Sequence, residues 1–373
     1  MKGKIMYNDE EKFNALLESI HSGNVYFVTG RNGSGKSRFF AYATKSFFQY
    51  RVEKNINRIV CMSGTMHDKY PPEIYKKSLS DESVIYLGNK VNNNMVSDTA
   101  PFRILCKHIL NKIITFSEAH SKSNVLIHNA LQRLNFDESI TFKFRYGKNR
   151  KKEVLSSVSP ELKVNLITPT NDLTLVRNYL HHIECGDILL SDISFFRNDF
   201  SFGLAELSSG EKQYAISLLG AIYCGCSNSM IYYDEPENSL HPSWQLSIIN
   251  DLANITKELF TKSILIIATH SPLIASSVRN DRSYICDFPA GQSWQRSYLH
   301  GQASDVVLRE QFHLYSARSP EIYIIINKCL DAIARNKTNT TEFEKIKNEL
   351  RDYNLELQND DPLYEVVTTI LGF

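Results

Sequence analysis

The stretch from Val25 to Ser37 narrows what this chain can fold into more than any other. An apolar run, Val25-Tyr26-Phe27-Val28, leads into Gly30-Arg31-Asn32-Gly33-Ser34-Gly35-Lys36-Ser37. That segment fits G-x-x-x-x-G-K-[ST] between a strand and a helix. Glycines let the backbone curl so that its N–H groups point inward, and the helix N-terminus adds positive potential. Phosphate suits such a cradle. Lys36 is placed for the β- and γ-phosphates of ATP, and the Ser37 hydroxyl for a Mg²⁺ ion. A glycine turn that merely contains Lys-Ser is the plainer alternative.

Three further motifs bear on that choice. Met230-Ile231-Tyr232-Tyr233-Asp234-Glu235 is an apolar strand ending in two carboxylates. A buried strand would hold Asp234 as a second metal ligand, and Glu235 can orient or deprotonate an attacking water. Leu207-Ser208-Ser209-Gly210-Glu211-Lys212-Gln213 opens a helix. Ser208 and the Gly210 N–H make a second anion site there, able to close on the γ-phosphate held by another subunit; as a bare string it also reads as a helix cap. His270, in Ile267-Ala268-Thr269-His270-Ser271, ends another apolar strand where it can donate to a γ-phosphate. Lys36, Glu235 and His270 are the candidate catalytic residues.

The four motifs resemble those of the ABC ATPase superfamily: Walker A at 30–37, signature at 207–213, Walker B at 230–235 and switch histidine His270. Asp234-Glu235-Pro236-Glu237-Asn238-Ser239-Leu240-His241-Pro242 is similar to the DEPE-x-x-LHP form of the RecF, SMC and OLD-nuclease branch, shared with stand-alone AAA-family ATPases of bacterial anti-phage defence associated with retrons or Septu. The resemblance implies an ATPase that sandwiches two ATP in a homodimer, with a D-loop at 239–242 facing the opposing subunit. It also implies control of a separate effector such as a nuclease. A RecF-like repair ATPase that binds DNA directly is the alternative, and a transporter subunit a third reading that the LHP form disfavours. No glutamine lies between Gln49 and Gln132, so the usual Q-loop residue is missing, and Asn89 or 92–94 are the candidates to replace it.

Short apolar strands alternating with helices predict an α/β sheet covered on both faces, the P-loop head of an ABC ATPase. The expected core is 1–62 and 195–300, interrupted by an enlarged, mainly helical lobe at 63–194 and followed by a helical region at 301–373. Within the lobe, a strand pair around 139–155 carries Lys143, Arg145, Lys148, Arg150, Lys151 and Lys152 among aromatic residues. Lys148, Arg150, Lys151 and Lys152 at its tip suit a nucleic-acid backbone; a solvated hairpin with its aromatics turned inward fits equally. Asp68, Lys69 and Tyr70 sit in a turn before Pro71 with no assigned role.

A net charge of +1 argues against a global nucleic-acid coat, and 42% hydrophobic residues over 373 positions suffice for more than one lobe. The apolar runs are too short to span a bilayer, no signal-like run opens the sequence, and the seven cysteines lack metal spacing. A reduced, cytoplasmic protein without a membrane partner is expected. After His270 the acidic residues are scattered, with Asp360-Asp361 the one adjacent pair, so no nuclease centre is predicted in this chain.

Overall fold

The computed structural model describes residues 7–51, 55–66, 68–78, 81–92, 94–115, 121–147, 158–168, 172–302, 304–312, 319–355, 357, 361 and 363–372. In chain order the strands are β1 (Val25–Thr29), β2 (Arg58–Ser63), β3 (Val84–Leu87), β4 (Lys90–Asn92), β5 (Met95–Val96), β6 (Ser139–Tyr146) and β7 (Glu161–Asn165). They continue with β8 (Ile188–Arg197), β9 (Phe200–Gly203), β10 (Ser229–Asp234), β11 (Ile264–Ala268), β12 (Ser283–Asp287) and β13 (Gln295–Arg296).

Seven of these form one sheet in the order β13-β12-β1-β11-β10-β2-β3, parallel throughout except at the β13 edge. β1 and β10 are buried at every position, which is why they read as unbroken apolar runs rather than alternating ones. Alternate residues face opposite sides. Tyr26, Val28, Cys61, Tyr232 and Ile266 pack with Phe13, Phe39 and Phe40 from helices Tyr7–Glu18 and Lys36–Tyr50. On the other face, the Tyr233 hydroxyl meets Gln213 and Ser217 of helix Ser209–Cys224 at 2.7 Å each. The chain is thus the α/β, helix-covered sheet the motifs called for.

Register sets the working edge. Val28 lies opposite Ala268, and Asp234 lies between Ala268 and Ser63. The loops after β1, β2, β10 and β11 therefore leave the sheet side by side at its carboxyl end, where open α/β sheets bind ligands.

The expected lobe differs in two respects. Its first part is not separate from the core, because Val84–Leu87 pairs with β2 and widens the central sheet. Its second part adds to helices Ser121–Arg133 and Leu173–Glu184 a four-stranded antiparallel sheet, β7-β6-β8-β9, whose last strand lies beyond residue 194. The β6 partner begins at Glu161, beyond the 139–155 pair read from sequence. β8 and β9 join through Asn198 and Asp199, both at positive φ (49° and 66°), as a two-residue hairpin with type I′ character demands.

The chain divides into two compact units, Met1–Gln302 and Ala303–Phe373. The second contains helices Ser304–Phe312, Pro320–Ala334, Thr341–Asp352 and Tyr364–Gly372. It has its own core of Ile325, Ile326, Cys329, Phe343, Leu350, Val367 and Ile370.

Candidate nucleotide site

Gly30, Gly33 and Gly35 stand at φ 136°, 81° and 110°, and these left-handed turns curl the loop between β1 and helix Lys36–Tyr50. Gly30 has a second reason to be glycine: a Cβ there would lie 2.4 Å from the Phe288 carbonyl oxygen. Gly35 caps the helix without a side chain, leaving its first N–H groups to an incoming anion. Lys36 is buried and lies across the loop, donating from Nζ to the carbonyls of Gly30 (2.8 Å) and Arg31 (3.3 Å). The Ser34 Oγ is buried in the same cradle with no hydrogen-bond partner among the described residues. Arg31, Asn32 and Gly33 are exposed at its rim.

Ser37 and Asp234, 197 residues apart in sequence, meet at 3.3 Å between Oγ and Oδ1. Burial pushes the Asp234 carboxyl up to about 7, the Ser37 hydroxyl pulls against this, and the carboxylates of Glu235 and Asp68 add to it. A buried acid among other acids calls for a cation. One hydroxyl and one carboxylate oxygen, with phosphate oxygens to complete the shell, suit Mg²⁺, which is commonly held by few protein ligands.

Glu235 sits at φ 50°, its N–H held by the Ala268 carbonyl at 2.8 Å. Asn238 Nδ2 donates to its Oε2 at 3.1 Å. The chain after β2 presses close, since a Cβ on Gly64 would be 2.0 Å from the Glu235 carbonyl oxygen. His270 is exposed, with Nδ1 3.9 Å from Glu235 Oε1 and 3.1 Å from Glu237 Oε1. Lys36, Ser37, Asp234, Glu235 and His270 thus share one edge of the sheet.

In the signature segment the structure shows the helix cap that the bare string also allowed. Ser208 is the N-cap of helix Ser209–Cys224, in a reciprocal capping box with Glu211. Its Oγ accepts the Glu211 N–H at 3.2 Å, and its own N–H donates to Glu211 Oε2 at 2.8 Å. The hydroxyl is therefore engaged within its own helix, while Ser208 and Ser209 remain exposed. Gly210 is buried against the segment after Walker B: a Cβ there would lie 2.7 Å from the Ser239 carbonyl oxygen and 3.2 Å from the Trp244 ring.

Lys148, Arg150, Lys151 and Lys152 lie outside the described residues. Phe142 and Phe144 beside them are buried, and Lys143 pairs with Asp192 at 3.8 Å, so these aromatics serve the core. Asn89 and Asn92 follow β3, which is separated from β10 by β2. The loop that adjoins Walker B is instead the one after β2, where Gly64 N–H donates to the Asp234 carbonyl at 2.9 Å. Sequence reasoning also left Asp68 unassigned. Its buried carboxylate accepts from the Tyr86 hydroxyl (2.7 Å) and the Tyr70 N–H (3.2 Å) and pairs with Lys90 (3.4 Å). An acid beside a Tyr-Pro-Pro turn was the only local signal.

The glycine cradle, the buried Lys36 and the Ser37–Asp234 pair at the carboxyl end of a parallel sheet form a phosphate-binding site of P-loop type. Residues 118–276 match the family described as "AAA domain, putative AbiEii toxin, Type IV TA system", a span that takes in the signature, Walker B and His270. Protein ea59 of Escherichia phage lambda is 20% identical over 285 residues, covering 71% of this chain and 49% of that protein. The chain spans about half the length of that curated relative. Among solved structures it is similar to UvrA2 from Deinococcus radiodurans, at 14% identity and a TM-score of 0.31 over 81% of this chain and 37% of that one. It is also similar to an ATP-binding cassette of an ABC transporter in its ADP conformation, at 13% identity and a TM-score of 0.29 over 81% and 88%. Among the described residues no helix is long and apolar enough to cross a membrane.

Proposed function

We propose that this chain binds ATP at the 30–37 loop, hydrolyses it, and closes with a second copy around two nucleotides to control a separate effector. The meeting of Ser37 with Asp234 at 3.3 Å, beside Lys36 and Glu235, carries the reading. Lys36 would exchange the Gly30 and Arg31 carbonyls for phosphate oxygens. Mg²⁺, held by Ser37 and Asp234, would supply charge neutralisation on the phosphates. Glu235, steadied at one oxygen by Asn238, would take the proton of a water that attacks the γ-phosphorus as the bond to ADP breaks. The exposed N-terminus of helix Ser209–Cys224, with Ser208 and the Gly210 N–H, would face the partner's γ-phosphate.

The effector and its setting in anti-phage defence rest on the DEPE-x-x-LHP resemblance and on the matched family, whose description names a toxin of a toxin–antitoxin system. A nuclease is the effector class favoured. Lys148, Arg150, Lys151 and Lys152 remain the proposed nucleic-acid contact.

Steady-state hydrolysis with bound-nucleotide analysis tests the chemistry. Glu235→Gln should retain ATP while turnover falls on the order of 10²-fold or more, and Lys36→Ala should lose binding. Near wild-type turnover in Glu235→Gln would remove the assigned base, and wild-type protein that binds no ATP would remove the function.

A further inference from the structure

We propose that Glu237 is a positioning residue that selects which ring nitrogen His270 presents to the nucleotide; the inference rests on the site described above. Glu237 lies two residues past the assigned base and its side chain is only 5% exposed. One oxygen, Oε1, accepts the Thr269 hydroxyl at 2.8 Å and the His270 backbone N–H at 2.6 Å. The same oxygen stands 3.1 Å from His270 Nδ1. The other, Oε2, is buried and meets no hydrogen-bond donor among the described residues.

Two of those contacts would suffice to tie the strand end to the turn after Walker B. The third acts on the ring. A bare Nδ1 would set its lone pair against a carboxylate oxygen at hydrogen-bond distance, so Nδ1 carries the proton. Glu235 Oε1, at 3.9 Å, lies too far to accept it but also presents an acceptor to that edge. Nε2 is then the bare nitrogen of the neutral ring, an acceptor for the proton of a water at the nucleotide. Donation from Nε2 to the γ-phosphate, as read from the sequence, would require the doubly protonated ring. Gln245 steadies the arrangement, donating to the Leu240 carbonyl at 3.1 Å and accepting from the Ser271 hydroxyl at 2.7 Å. Carboxylates that orient a working imidazole through its far nitrogen typically matter by about 10- to 100-fold.

The test is long-range ¹H–¹⁵N correlation NMR on the full chain labelled with ¹⁵N-histidine, with His270 assigned by its loss in His270→Ala. His270 should carry its proton on Nδ1 in the wild type and in Glu237→Gln, whose amide oxygen can still accept. It should move to Nε2 in Glu237→Ala. An Nε2–H form in the wild type overturns the proposal without any variant, and so does an Nδ1–H form that survives Glu237→Ala. In turnover assays, Glu237→Ala should lower kcat about 10- to 100-fold with little change in KM, and should add nothing to His270→Ala. An equal further loss in the His270→Ala background would assign Glu237 a purely structural role and overturn the proposal. Failure of the wild type to hydrolyse ATP would count against the function, while the NMR result would still decide the Glu237–His270 pairing.

Discussion

Asp234 carries a folding cost that grows with pH. Its carboxyl moves from 3.8 to about 7 on burial. Below about pH 4 both folded and unfolded chains hold the proton and folding costs nothing extra. Between about 4 and 7 the unfolded chain releases it first, so the nucleotide-free protein loses stability as pH rises, and above 7 the full penalty remains. Each unit is worth about 1.4 kcal/mol. Asp234→Asn removes this term, so its stability advantage over the wild type should widen by roughly 2 to 3 kcal/mol between pH 5 and pH 8. Denaturant unfolding at the two pH values measures it, and an unchanged gap would mean that the carboxyl is not held protonated. Lys36, Ser37 and Asp234 were legible in the sequence because each belongs to a contiguous motif. Glu237 and Asp68 were not, because their partners at 269–270 and at 86 and 90 arrive only by tertiary packing.

Among elements, helix Ser209–Cys224 joins the signature to the core. Ser208→Ala removes the capping box and should lower stability by about 1 kcal/mol. Gly210→Ala should do more, because its methyl meets backbone rather than a yielding side chain. The Ser239 carbonyl, 2.7 Å from the added carbon, must move, and the segment after Walker B with it. Thermal melts of the two variants check this order, and an unperturbed Gly210→Ala would show that the close approach is absent in solution. The same scale shows where sequence reasoning stops. β1, β2, β10 and β11 were readable because a parallel strand buried on both faces is an apolar run bounded by turns. β3 is only four residues, Val84–Leu87, too short for periodicity to separate strand from helix. β6 was readable, but its partners were not: they begin at Glu161 and Ile188, and nothing local in β6 specifies either pairing.

For the whole molecule, nucleic-acid contact is the looser proposal, resting on cations outside the described residues. Replacing Lys148, Arg150, Lys151 and Lys152 by alanine should flatten the log–log salt dependence of binding by roughly 0.7 to 0.9 per lost phosphate contact. An unchanged slope would return the segment to a solvated role. Closure is the tighter proposal. The chain's own nucleotide motifs leave Ser208 and Ser209 exposed, and a signature that faces a second copy accounts for that exposure. The most direct test is light scattering on size-exclusion fractions of Glu235→Gln, at micromolar concentration with ATP and Mg²⁺, with bound nucleotide counted in the same fractions. The expected result is twice the monomer mass with one ATP per chain, falling back to monomer when Gly210→Ala is added. A nucleotide-loaded Glu235→Gln that stays monomeric would contradict the sandwich.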